Sequence, residues 1–233
     1  MNHIGTLRET SLHAALKDWY ALPDDRIEDE VDGYLIDLVR GNELIEIQTG
    51  NFGAIKKKLK HLLIDHPVRL VYPIARERWI VRTDKNGRQL KRRKSPKRGR
   101  LENLFDSLVS IPALVPHPGF TVEVLLTQEE VVWMDDGRGS WRRKGWSIAD
   151  RRLISVVESH TFTWPVSYQA LVPPTMTDGF TNRDLAKILK MRVNLAQKMT
   201  YCLSRMDVIN CIGHRDRYKL YALGDQLDQN AVQ

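Results

Sequence analysis

Residues 34–49 read YLIDLVRGNELIEIQT. Two runs of Leu, Ile and Val flank Gly41-Asn42, so the stretch is expected to be a β-hairpin, with strands over Tyr34–Val39 and Leu44–Thr49. A two-residue turn then pairs Arg40 with Glu43, Val39 with Leu44, Leu38 with Ile45, and Asp37 with Glu46. Side chains alternate along a strand. Ile36, Leu38, Ile45 and Ile47 therefore share one face, and Asp37, Glu46 and Gln48 share the other. Like charges directly opposite each other destabilise a sheet. Two facing carboxylates call for a cation, and oxygen ligands in a basic surround suit Mg²⁺ beside phosphate. The bland alternative is a polar, solvated hairpin face.

Outward from the hairpin, Thr10 to Leu22 places Leu12, Ala15, Leu16, Trp19 and Leu22 at helical spacing, and Pro23 ends the pattern. His13 lies near the apolar side of that helix and reads as a packed histidine. Asp24 to Asp32 reads as an acidic connection. From Phe52 onward, Ile55, Leu59, Leu62 and Leu63 line one face of a helix whose other face carries Lys56, Lys57, Lys58 and Lys60. That lysine face suits either phosphate contact or plain solvation. Val68–Ile74 and Trp79–Arg82 read as two further strands. The order α, β, β, α, β, β suits an α/β or α+β layer fold. Further on, Leu101–Ile111 reads as a helix, Phe120–Met134 contains a strand, and Ala149–Val157 reads as a helix. Three divisions follow: 1–115, a connecting mixed segment over 116–164, and a C-terminal module over 165–233.

The 233 residues carry a net charge of +7, unevenly spread. The first fifty sum to −7, and residues 51–100 to +14. An acidic cluster before a basic block points to a polyanionic partner, nucleic acid foremost. Residues 85–100 hold nine Lys or Arg and no acid, without apolar periodicity, and read as an exposed loop. Arg92, Arg93, Lys94, Lys97 and Arg98 are its candidate phosphate contacts, although a nuclear-localisation run has the same composition. Trp133, Trp141 and Trp146, near Arg142 and Arg143, suit base stacking or core anchoring. No apolar stretch reaches the ~18 residues of a membrane span, and the N-terminus lacks a secretory pattern, so a cytoplasmic protein is expected. Cys202 and Cys211 fit neither a disulfide scaffold nor a CxxC site and are expected to be reduced and structural.

In the C-terminal module, Thr181-Asn182-Arg183-Asp184 reads as a capping box opening a short helix. After a break at Lys190-Met191-Arg192, a second helix runs to about Met206 with Leu195, Met199, Cys202 and Met206 inward. Two short strands, Val208–Ile212 and Tyr218–Leu223, then flank a basic turn. This order resembles the winged helix-turn-helix family over roughly residues 165–224. The family puts its second helix in the major groove and its wing on the backbone, which nominates Asn194, Gln197, Lys198, Arg205, Arg215 and Arg217 as DNA contacts. A helical hairpin and β-ribbon used for packing or dimerisation is the alternative.

Over residues 5–111 the chain resembles the PD-(D/E)XK, or restriction-endonuclease-like, nuclease superfamily. The matching residues are Asp37, then Glu46-Ile47-Gln48 on the next strand, then the lysine-rich helix, with Glu9 at the head of the first helix. Ile36 stands where a proline is usual and Gln48 where lysine is. The resemblance implies a restriction-endonuclease-like α/β core, with a central mixed sheet flanked by helices, ahead of the winged helix. It implies Mg²⁺, or Mn²⁺, held by Asp37, Glu46 and the Ile47 carbonyl, with Gln48 and Glu9 completing a catalytic set that hydrolyses DNA phosphodiesters. Asp32 is the fallback acid if the register slips. Restriction, defence or repair would be the setting, and a homodimer would let both strands be reached. The rival expectation is a catalytically inactive nuclease-fold transcriptional regulator. RNA stays open as a substrate, because phosphate contacts carry no sugar information.

Overall fold

The computed structural model describes residues 10–143, 145–176 and 178–224. The chain is a mixed α/β protein with a central mixed sheet. It opens with α1 (Ser11–Tyr20), whose Thr10 cap accepts the His13 amide. Three strands follow, β1 (Arg26–Val31), β2 (Tyr34–Arg40) and β3 (Glu43–Ile47), with β1 antiparallel to β2 and β2 antiparallel to β3. A short 3-10 turn (Phe52–Ile55) leads into α2 (Lys56–Leu62). The remaining sheet strands are β4 (Val68–Thr83), β5 (Gln89–Lys94), β6 (Phe120–Met134) and β7 (Ser147–Phe162). The strand order is β1-β2-β3-β4-β6-β7, with β5 paired to β4 off that path.

Several elements differ from the sequence expectation. The acidic run 24–32 contains strand β1. Its signal is Asp32-Gly33, an Asx-Gly pair with positive φ at both residues (52° and 76°), as a tight hairpin turn needs. The basic run 85–100 is not all loop. Gln89–Lys94 pairs antiparallel with the second half of β4, and its repulsion is partly offset by Glu77 and Glu130. The two strands expected over 68–82 are one 16-residue strand. Residues 149–157, expected to be helical, belong to the 16-residue strand β7. Ile148, Ile154, Val156, Val157 and Thr161 are β-branched and stiff in helices, and pairing with β6 outweighs the helical spacing of Leu153 and Val157. The helix expected over 101–111 is a 3-10 turn (Leu101–Leu104) followed by one α-helical turn, α3 (Phe105–Leu108).

The chain forms two compact units that interleave along the sequence. The first comprises residues up to 49, 69–100 and 123–160. Its core gathers Leu12 and Leu16 of α1 with Leu38, Ile45, Ile47, Val71 and Leu125 of the sheet. That set holds three of the four residues of the apolar hairpin face expected from alternation, and the fourth, Ile36, is also buried. Residues 116–164 are thus not a mere connection, since they supply all of β6 and β7. The second unit comprises 50–68, 101–122 and 161 onward. In it, a 3-10 turn (Pro165–Leu171) precedes α4 (Asn182–Ile188), α5 (Val193–Arg205), β8 (Ile209–Arg215) and β9 (Tyr218–Leu223). The expected capping box is present, with Thr181 and Asp184 each bonding the other's backbone. Phe180 bridges to Tyr221 by two 2.8 Å backbone hydrogen bonds, adding a third strand position beside the β8–β9 ribbon. Cys202 is buried, with its thiol pKa pushed up to about 12 by burial, while Cys211 is exposed.

Candidate active site and nucleic-acid interface

The β2–β3 register is the expected one at three pairs, Arg40 opposite Glu43, Val39 opposite Leu44 and Leu38 opposite Ile45, and does not include the expected Asp37–Glu46 pair. The ladder then stops, and the Ile47 amide donates to Asp37 Oδ2 at 2.7 Å. The carboxylate takes a bond that a strand carbonyl would otherwise accept. This bond ties the Asp37 carboxylate to the Glu46–Ile47 peptide. Glu46 is 6% exposed. His13 Nε2 lies 3.2 Å from the same Asp37 oxygen, both side chains being about one-fifth exposed. From sequence alone His13 reads as a packing residue. Only the docking of α1 onto β2 and β3 brings it to Asp37.

Beyond Glu46 the strand is held at two points. The Gln48 amide donates to the Val71 carbonyl at 2.9 Å, and the Thr49 carbonyl accepts from Arg151 at 3.2 Å. Arg151 also binds Glu129 Oε2 at 2.9 Å. The other Glu129 oxygen accepts from Thr127 at 2.8 Å, and Glu129 is fully buried. Arg78 stands 3.7 Å from Glu129, its guanidinium pKa lowered by burial. This buried ion network has no signal in the sequence, because a helix over 149–157 gives Arg151 no register against β6. A second network joins Tyr20, Glu123, Arg69, Glu43 and Ser159. Burial pushes Glu123 up, but the Ser159 and Tyr20 hydroxyls and Arg69 outweigh it and hold the carboxyl below its usual value.

Among the described residues no three or more His, Cys, Asp or Glu side chains cluster as a metal set. Glu9 lies outside the described residues. Asp37, Glu46 and the Ile47 carbonyl are hard oxygen donors on two neighbouring strands. Mg²⁺ is bound by one or two carboxylates, with water and substrate phosphate completing its shell, so the chemistry of this donor set fits a hard divalent cation.

The nucleic-acid candidates divide by their partners. Lys56 and Lys57 are exposed on α2. On β5, Arg92 binds Glu130 at 2.7 Å, and Lys94 binds Glu77 at 2.5 Å. Both cations lie over the Trp79 ring. Arg98 sits 3.7 Å from Glu77. Lys97 is exposed. Trp133 and Trp146 both neighbour the Arg82 guanidinium, whereas Trp141 is 83% exposed with Arg142 over its ring. On α5, Asn194, Gln197 and Arg205 are exposed, while Lys198 is tied to Asp106 at 2.8 Å. Gln197 and Arg205 border a groove with Tyr201, Asn210 and Lys219. On the β8–β9 ribbon Arg215 pairs with Asp184 at 3.1 Å, and Arg217 donates to the Tyr218 hydroxyl at 2.9 Å.

Comparison with known proteins adds kinship without chemistry. An uncharacterized protein of Treponema pallidum (strain Nichols) is 35% identical over 160 residues, 68% of this chain and 64% of that relative. The chain thus spans somewhat under two-thirds of that relative's length. No solved structure matches. Among the described residues no helix is long and apolar enough to cross a membrane. Residues 10–163, which hold the whole sheet, the Asp37 site and the basic strand, match a domain of unknown function, DUF8091, and the chain belongs to that family.

Proposed function

We propose that this chain is a metal-dependent DNA phosphodiester hydrolase, with a nuclease-like α/β core and a winged-helix module that engages duplex DNA. The observation that carries the reading is the Ile47 amide on Asp37 Oδ2, at the end of a hairpin inside the run α1, β1, β2, β3, α2, β4. It fastens the aspartate to the peptide that follows the second acid, which supports a cation held between the two strands. Asp37 Oδ1, Glu46 and the Ile47 carbonyl would hold Mg²⁺ or Mn²⁺. The bound ion would neutralise charge on the scissile phosphate and lower the pKa of the attacking water. His13 and the Ile47 amide fix the rotamer of Asp37. Gln48 orients the water by hydrogen bonding and brings no charge of its own. Arg151, clamped by Glu129, holds the Thr49 carbonyl and so steadies the strand that presents Glu46 and Gln48. The winged-helix part of the proposal is supported by the Phe180–Tyr221 bridge and by the exposed Asn194, Gln197 and Arg205 on α5.

The second reading, a DNA-binding regulator without catalysis, is favoured by one observation: the His13 ring also engages Asp37 Oδ2, a protein partner at an oxygen a cation would use. Incubation with supercoiled plasmid, linear duplex, single-stranded DNA and RNA, in Mg²⁺, Mn²⁺ or EDTA, separates the two. The hydrolase reading expects metal-dependent cutting that falls at least ~10²-fold in Asp37→Ala/Glu46→Ala, given that even outer-shell partners of a metal are worth 10–100-fold. Salt-sensitive binding of duplex DNA by both proteins, with no cutting by either, overturns hydrolysis in favour of the regulator. Cutting of RNA alone overturns the choice of DNA.

A further inference from the structure

The strand pair β4–β5 has two chemically different faces. Its tip is the turn Asp84–Arg88, closed by hydrogen bonds of 3.0 Å between Asp84 and both Gly87 and Arg88. Gly87 sits at φ +84°, a conformation that favours glycine. The register sets Trp79 opposite Lys94, Ile80 opposite Arg93, Val81 opposite Arg92, and Arg82 opposite Lys91. Cross-strand partners share a face and alternate residues switch it. Arg92 and Lys94 therefore lie on one side, beside Trp79, while Lys91 and Arg93 lie on the other, beside Arg82. Every residue of β5 is exposed.

The first face is electrically settled. Arg92 is paired with Glu130 and Lys94 with Glu77, and Trp79 is the aromatic surface under both. Lys94 is the chief influence holding the Glu77 carboxyl below its usual value. Reaching a phosphate with Arg92 or Lys94 would mean breaking an ion pair and leaving a carboxylate facing the polyanion. On the second face the acid against β4, buried Glu129, is held by Arg78 and Arg151 and not by β5. Neither Lys91 nor Arg93 has a side-chain partner among the described residues, and Arg82 beside them is stacked against Trp146, 4.9 Å from the ring centroid. Two unneutralised cations on one face of a strand, backed by a third, form a surface whose repulsion is relieved by binding a polyanion.

Accordingly, we infer that β4–β5 is a one-sided phosphate-binding ribbon, in which Lys91 and Arg93 contact the backbone of a nucleic-acid duplex while Arg92 and Lys94 serve the ribbon's own structure. The inference rests on the proposed DNA reading and narrows it, since it reassigns two of the basic residues nominated from sequence.

Binding to a 40-base-pair DNA duplex in EDTA, where no cutting can intervene, is measured across salt concentrations. The wild type is compared with Lys91→Gln/Arg93→Gln and with the charge-neutral pair deletion Arg92→Gln/Glu130→Gln. Removing one cation that neutralises a phosphate lowers the slope of log K against log salt by about 1. The ribbon predicts a slope reduced by about 2 in the first variant and unchanged in the second, with both melting as the wild type does. An unchanged slope in Lys91→Gln/Arg93→Gln overturns the ribbon and leaves the DNA reading standing. An equal fall in the pair deletion overturns its one-sidedness. Absence of binding by the wild type overturns the DNA reading, and the ribbon with it.

Discussion

The β2–β3 and β8–β9 hairpins begin from the same local pattern, two short apolar-rich strands around a tight turn, and end in opposite environments. Four of the five residues of β3 are buried, but only one of the seven in β8. Burial at the first hairpin limits what can reach Asp37 and Glu46, and fixes Asp37 through a backbone amide. Exposure at the second leaves Arg217 and Lys219 in solvent, where long cations can meet phosphates. The contrast teaches that the turn sets the register of a hairpin, while its neighbours decide whether it holds a reactive carboxylate or offers a charged surface.

The two hairpins should respond very differently to removal of an isoleucine side chain. Ile45 is fully buried beside Leu12, Leu16 and Leu38, so Ile45→Ala should cost about 2–5 kcal/mol. Ile212, 56% exposed on β8, should change stability by no more than ~0.5 kcal/mol on the same substitution. Urea denaturation of both variants checks the contrast, and equal destabilisation would break it.

Acidity probes the buried side of the comparison. Glu123 is held below its usual pKa in the folded chain. Its contribution is therefore complete above the unfolded value of about 4.5, and is lost as pH falls through the lower folded value. Glu123→Gln should lower stability by about 1.5–3 kcal/mol at pH 7, the range for a hydrogen bond to a charged group. It should also flatten the acid limb of the stability curve. Parallel curves for variant and wild type between pH 7 and 3 would remove Glu123 from the acid response.

The smallest effect belongs to the second unit. Thr181 accepts the Asp184 amide at the head of α4, so Thr181→Ala should destabilise that unit by about 1 kcal/mol, read as a shift in its melting transition. A shift as large as that of Ile45→Ala would mean that the cap does more than close one helix end.

Local chemistry accounts for what is legible without coordinates. The hairpin register follows from Gly41-Asn42 and strand alternation, and the α4 capping box from residues three apart, because both rest on interactions within a few positions. The same holds for α1 and for the order α4, α5, β8, β9. Local chemistry misleads where a segment's partner lies far along the chain. Strand β7 carries apolar residues at helical spacing, yet it is a strand, because β6 supplies backbone partners that no local pattern records. Strand β5 lies in a run of sixteen residues of which nine are Lys or Arg, and it is ordered because β4 offers an edge and two acids stand nearby.

The candidate site divides in the same way. Asp37, Glu46 and Gln48 are legible in the sequence, since alternation along two paired strands is a short-range property. That Asp37 is fastened to the Ile47 amide, that His13 meets it, and that Arg151 and buried Glu129 clamp Thr49 were decided by tertiary structure alone. These interactions depend on packing a helix and a distant strand against the hairpin, and the free energy that holds them comes from apolar burial spread over the whole core.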